Sequence, residues 1–207
     1  MVFTAGARDF VRRYRIRLTQ AAALLLFIVL LLGTSAWPKD GLVDVLFETI
    51  GVLLLGVGAF GRLWASMHIA GYKTKHLITD GPYSIVRNPL YLFSFVGAVG
   101  AGFVTESLLI VCMIVLSFAL FYPVVVLEEE KKLAARHGQD FVAYSKRTPR
   151  FIPNPMLFHE AETYVVNAKV YRRALLDATL FIAAFCPLHL IEQLHETGTL
   201  PHLFRIY

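Results

Sequence analysis

The sequence predicts an all-α fold, a polytopic membrane helix bundle of about five transmembrane helices with a tight helical hairpin and a cytoplasmic C-terminal catalytic segment. Three observations lead there. The 207 residues are 57% hydrophobic, with a mean hydropathy of +0.59, well above a soluble domain of this size. The apolar residues gather into runs long enough to cross a bilayer. The basic residues cluster beside those runs.

A membrane helix needs about 20 mostly apolar residues. The first candidate is Leu18 to Trp37 and the second is Leu42 to Trp64. The third and fourth, Leu90 to Val104 and Ser107 to Leu127, are separated only by Thr105 and Glu106, a gap that permits nothing but a tight hairpin. Leu90 to Val104 is short for a full span and suits a tilted or partly buried helix. The fifth, Ala174 to Ile191, is interrupted by Asp177, Pro187 and His189 and reads as a span or an interfacial helix. The chain divides into a basic arm with the first helix (1–44), a membrane core (45–153) and a C-terminal extension (154–207). The N-terminus has a signal-peptide outline, ending in Thr34-Ser35-Ala36. It is expected to be retained, because the run is long and the remaining chain is itself membrane protein.

Charge orients the bundle. All lysines and arginines except Lys39 and Arg205 fall into three groups: Arg8, Arg12, Arg13, Arg15 and Arg17; then Arg62, Lys73, Lys75 and Arg87; then the cluster from Lys131 to Arg173. Five spans put all three groups in the cytoplasm if the N-terminus is inside and the C-terminus lies on the opposite side. The net charge of +5 is therefore read as topology and contact with membrane lipids, and no nucleic-acid partner is expected. Cys112 and Cys186 sit in apolar runs without CxxC spacing and suit buried small hydrophobes.

Two glycine-bearing stretches are read as packing surfaces. Gly97-Ala98-Val99-Gly100-Ala101-Gly102 does not match G-x-G-x-x-G and lies in a span. Gly97 and Ala101 form a small-xxx-small pair, and Gly51, Gly56, Gly58 and Gly61 are expected to pack similarly. A homo-oligomer through these helices is left open. His189, Glu192 and His195 lack the H-E-x-x-H spacing, so no metal site is expected there.

The chemistry is expected in two polar stretches flanking the hairpin. In the first, Asp80-Gly81-Pro82 is turn chemistry and Asn88-Pro89 starts a helix. The backbone around Asn88, Pro89, Leu90 and Tyr91 marks a helix start suited to a carboxylate or phosphate. In the second, Glu128, Glu129 and Glu130 stand where the fourth helix leaves the membrane, and at least one should face the bundle.

Together these stretches resemble the isoprenylcysteine carboxyl methyltransferases and the related membrane phospholipid methyltransferases. The family pattern L-[VI]-T-x-G-x-Y-x-x-x-R-[HN]-P-x-Y is met by Leu77 to Tyr83 and Arg87 to Tyr91. After the hairpin come Glu129, Glu130 and Leu133, then Gly138, Phe141 and Tyr144, closing with Arg147 and Pro149 to Pro153. The resemblance covers roughly residues 45 to 153. It implies S-adenosylmethionine as cofactor and a lipophilic acceptor, either an isoprenylcysteine-like carboxylate, a phospholipid amine or a small thiol. It also implies roles. Tyr83, Asn88, Pro89, Leu90, Tyr91, Glu129, Glu130 and Tyr144 would bind cofactor, and Arg87, Glu130 and Arg150 would be catalytic, an arginine anchoring an acidic group. The 147–153 arm would close over the site. Asn88 departs from the histidine of the eukaryotic carboxyl methyltransferases, so a base at that position is not expected. Two other functions stay open: a membrane sterol or steroid reductase using NADPH, and a non-catalytic scaffold.

Overall fold

The computed structural model describes residues 17, 20–22, 24–38, 41–70, 76–163, 165–201 and 203–206. The arginines at 8, 12, 13 and 15, together with Lys39, Lys73 and Lys75, lie outside them. The elements are α1 (Gln20–Leu32), β1 (Gly33–Ser35), α2 (Leu42–Ile69), the one-turn α3 (Pro82–Ile85), α4 (Pro89–Val104), α5 (Leu108–Arg147), a 3-10 turn (Pro155–Leu157), α6 (Ala168–Ala183), α7 (Phe185–Glu196) and β2 (Phe204–Ile206). The chain is an all-α membrane helix bundle. Among the described residues, three stretches are long and apolar enough to cross a bilayer: α2, α5, and α6 with α7 taken together. α1 and α4 are shorter apolar helices.

Several boundaries differ from expectation for local reasons. α1 stops at Leu32, because residues 33–35 are extended and pair in parallel with 204–206. α2 continues past Trp64 to Ile69. The fifth candidate begins earlier, at Ala168, and breaks at Ala184 into two helices. Pro187 sits in the first turn of α7, where its missing N–H would have no helical partner anyway.

The contacts divide the described chain into two compact units. One comprises Met1–Leu55, Ala98–Val125 and Ala183–Tyr207. Here the expected hairpin forms: Thr105 N and Glu106 N donate to Gly102 O and Phe103 O, and Ser107 Oγ accepts from Ile110 N to cap α5. A Cβ on Gly100 would meet Leu55 N at 2.6 Å, and Ala101 lines an apolar cavity. His195 Nε2 lies 3.1 Å from Leu31 O.

The second unit comprises Gly56–Gly97 and Val126–Ile182. α2 and α4 approach closely at Gly58, where an added Cβ would lie 2.6 Å from Gly97 Cα and 2.9 Å from Phe93 O. Gly61 abuts the Phe93 ring. Gly56 has nothing within 4 Å and does not serve the packing expected of it. Both cysteines correct the sequence reading too: Cys112 and Cys186 are free and exposed, because an apolar run can face lipid as readily as protein. α5 changes direction at Gly138, whose φ of 51° and ψ of −122° end one helical stretch and begin another.

Gly58 and Gly56 therefore differ in what a side chain would meet. Gly58→Val forces backbone apart and should lower stability by about 1–3 kcal/mol. Gly56→Ala should be neutral or gain up to about 1 kcal/mol. Unfolding of the two purified variants in detergent checks the pair, and equal behaviour would overturn the assignment.

Candidate functional site

The site is built from three segments of the second unit. The first is the loop and α3 leading into α4. Gly81 has φ 57° and ψ −129°, and a side chain there would run into the His68 ring. Ser84 Oγ donates to Gly81 O at 2.6 Å and accepts from His159 N at 3.2 Å. Tyr83 N donates to Asp80 O at 3.1 Å. This rigid turn delivers Arg87 and Asn88 to the start of α4.

The second segment is the part of α5 carrying three successive glutamates. They point to different surroundings. Glu129 is exposed, whereas Glu130 is 6% exposed. Arg87 Nη1 lies 3.1 Å from Glu130 Oε1. Arg150 Nε donates to Glu130 Oε1 at 3.1 Å and Oε2 at 3.0 Å, and its Nη2 lies 2.8 Å from Oε2. One buried carboxylate thus joins two guanidiniums, one of them through both oxygens.

The third segment is residues 149–160, which runs antiparallel along 81–88. Arg87 N donates to Pro149 O at 2.9 Å, Asn154 N to Ile85 O at 2.9 Å, and Gly81 N to His159 O at 2.8 Å. Asn88 Nδ2 donates to Arg150 O at 3.5 Å. Two histidines pin the far end: His68 Nε2 is 3.1 Å from Glu160 Oε1, and His159 Nε2 is 3.3 Å from Asp80 Oδ1.

The first two segments, with Arg62 and Ile69 of α2, line a cavity of about 330 Å³, to which residues 149–160 contribute no wall. Of the residues singled out from sequence, Tyr83, Arg87, Asn88, Pro89, Leu90, Tyr91, Glu129 and Tyr144 line it. Glu130 and Arg150 do not. They form the ion pair behind the wall, and Arg87 reaches both cavity and pair. Tyr144 Oη donates to Tyr83 O at 2.7 Å, tying α5 to α3. Burial pushes the Tyr83 phenol well above its ordinary value, with Tyr144, Glu129 and Tyr91 adding to the effect. It therefore stays a neutral hydrogen-bonding group. A second cavity of about 480 Å³ shares His76, Leu77 and Tyr144 and is also lined by His137, Asp140 and Arg147.

Sequence reasoning missed two features. Arg62 lines the smaller cavity. Charge counting treats it as a topological residue only, although a cation inside the apolar run Gly56 to Trp64 is itself a functional signal. In the first unit, Asp44, Glu106 and Glu192 place carboxylate oxygens within 4.8 Å of one another. They are remote in sequence and share no spacing motif. His189 Nδ1 lies 3.5 Å from Glu192 Oε2.

Fold and cavity define a class: integral membrane proteins whose apolar helices carry a tyrosine- and arginine-lined cavity. Residues 47–140 match the family model described as phospholipid methyltransferase, and the chain belongs to that family. It is 35% identical over 193 residues to the nickel-cobalt-cadmium resistance protein NccN of Alcaligenes xylosoxydans xylosoxydans, covering 93% of this chain and 90% of the relative. It is 34% identical over 193 residues to the cobalt-zinc-cadmium resistance protein CzcN of Cupriavidus metallidurans, covering 93% and 88%. No solved structure matches the chain.

Removing the Glu130 carboxylate leaves two guanidiniums facing each other. Glu130→Ala should cost about 3–5 kcal/mol of stability. Arg150→Ala should cost only about 1 kcal/mol, because the Arg150 side chain is 37% exposed and Arg87 remains paired. A double-mutant cycle on thermal unfolding measures both, and equal costs would contradict a carboxylate shared in this way.

Proposed function

We propose that the protein transfers a methyl group from S-adenosylmethionine to a lipophilic acceptor at the cytoplasmic membrane face. The observation that carries this reading is the cavity itself. It joins tyrosines, a helix start and a carboxylate beside the end of α2, a helix long and apolar enough to cross a membrane.

The donor set fits the cofactor. Glu129 is the carboxylate among the cavity-lining residues and is placed to accept from an ammonium group. Tyr83, Tyr91 and Tyr144 offer aromatic surface for an adenine. Arg87 Nε is buried without a hydrogen-bond partner and offers a donor to a carboxylate. When bound, S-adenosylmethionine supplies an electrophilic methyl on a sulfonium. The residues contribute mainly alignment and exclusion of water. Glu130, already held by Arg87 and Arg150, serves as a positioning residue rather than a base. An acceptor that is a carboxylate or thiolate needs no proton removed, whereas an amine would need Glu129 for that step. The three basic groups support an orientation with N-terminus and site in the cytoplasm and the C-terminus opposite.

Purified protein should bind S-adenosylhomocysteine, and Glu129→Ala should weaken that binding by about 10–100-fold. Membranes given methyl-labelled S-adenosylmethionine should label a lipid, protein or volatile fraction. Binding of NADPH, with no S-adenosylhomocysteine binding, would favour the reductase reading and sink this one.

A second reading comes from the relatives' names. NccN and CzcN are named for metal resistance, and Asp44, Glu106 and Glu192 supply the oxygen donors that a divalent cation would use. On this reading, a metal-sensitive host expressing the chain should tolerate more cobalt, and Glu106→Gln should reduce that gain. Unchanged tolerance in the variant would remove the carboxylates from the argument.

A further inference from the structure

We infer that Arg62 is the docking cation for an anionic group, a phosphate or a carboxylate, on an amphiphilic ligand. Taking that ligand to be the methyl acceptor rests on the function proposed above. The anion site itself does not.

Arg62 lies seven residues before Ile69, the last residue of α2, which sets it about 10 Å back from the helix end. The surrounding sequence is apolar and belongs to a membrane-crossing helix. A cation at such depth is costly unless something compensates its charge. Among the described residues its partners are neutral. Arg62 Nη1 donates to Ser94 Oγ. The guanidinium carbon stands 5.6 Å from the centroid of the Phe181 ring. Ser94 Oγ spends its own proton on Leu90 O, at 2.6 Å. Arg62 Nε is buried and has no hydrogen-bond partner. No carboxylate among the described residues pairs with Arg62.

Arg87 provides the contrast within the same cavity. It has a carboxylate partner in Glu130, 3.1 Å away, which it shares with Arg150. The anchoring role that sequence reasoning gives to Arg87 or Arg150 therefore falls more naturally to Arg62, a cation that no carboxylate of the described residues pairs with. A snorkelling arginine would carry its head to water. This one is held in the cavity wall by Ser94 and Phe181. Ile69, Ile78, Leu90 and Leu133 supply apolar wall beside it. A charged head with an apolar tail satisfies both kinds of surface, and a free inorganic ion satisfies only one.

The test uses the full-length protein in an uncharged detergent, with dodecyl phosphate, dodecanoate and dodecyltrimethylammonium as probes. Calorimetry should show both anionic amphiphiles binding and the cationic one failing to bind. Arg62→Gln should weaken the anionic pair at least about 10-fold, with Arg62→Lys recovering most of the loss. Binding of S-adenosylhomocysteine should fall by less in Arg62→Gln than binding of the anionic amphiphiles does. Inorganic phosphate should not displace dodecyl phosphate, and displacement at equal affinity would overturn the amphiphile assignment. Unchanged amphiphile binding in Arg62→Gln would overturn the site. Loss of S-adenosylhomocysteine binding alone would move Arg62 to the cofactor and also overturn it. Should Arg62→Gln not fold, Ser94→Ala, which keeps the charge but releases its tether, should lower anionic affinity several-fold, and no change would count against the site. Amphiphile binding that depends on Arg62, without any S-adenosylhomocysteine binding, would leave the anion site standing and remove the methyltransferase reading.

Discussion

The Glu130 carboxylate is the point on which the cavity depends. It draws together α5, the approach to α4 and the returning 149–160 segment through two guanidiniums. Burying a lone carboxylate would be prohibitive, and burying two arginines would be worse. The triad lets each charge offset the others. Backbone pairing between 81–88 and 149–160 accompanies it, because Arg87 and Arg150 fix the two strands of chain at one end. Tyr144 and the His68–Glu160 contact fix them elsewhere. The cavity wall is therefore stiff for reasons that lie behind it.

This arrangement divides labour among similar residues. Adjacent glutamates differ because a helix turns about 100° per residue, so Glu130 enters the interior while Glu129 reaches the cavity. Arginines differ by partner: two are tied to a carboxylate, one to a serine and a ring. Asn88 can donate and accept but not titrate in the neutral range. Its amide reaches back to Arg150 O, a contact that supports the returning segment. The composition of the site favours orientation and charge placement over proton transfer.

Much of this was legible in the sequence where local chemistry decides the outcome. Pro89 starts α4, Thr105 and Glu106 turn the hairpin, and Tyr83 and the residues Arg87 to Tyr91 come to one cavity. What escaped depends on which neighbour a side chain meets. Gly58 and Gly56 look alike in sequence, yet only one faces another helix. The engagement of Glu130 by both Arg87 and Arg150 needs the chain to return after a whole helix. The pairing of β1 with β2 joins distant parts of the chain, and no periodicity announces it. Cys112 and Cys186 could not be assigned to protein or lipid from apolar surroundings alone, since both environments select the same residues.

The exposure of those two thiols has a practical side. Each lies on a membrane-crossing stretch and faces outward. A water-borne maleimide does not readily enter hydrocarbon, so the native protein offers it little to modify. A cysteine introduced at an exposed position of the 149–160 segment would report over a low background wherever that segment meets water. Spin labels or fluorophores could then be placed beside the cavity without first stripping the chain of its own sulfur.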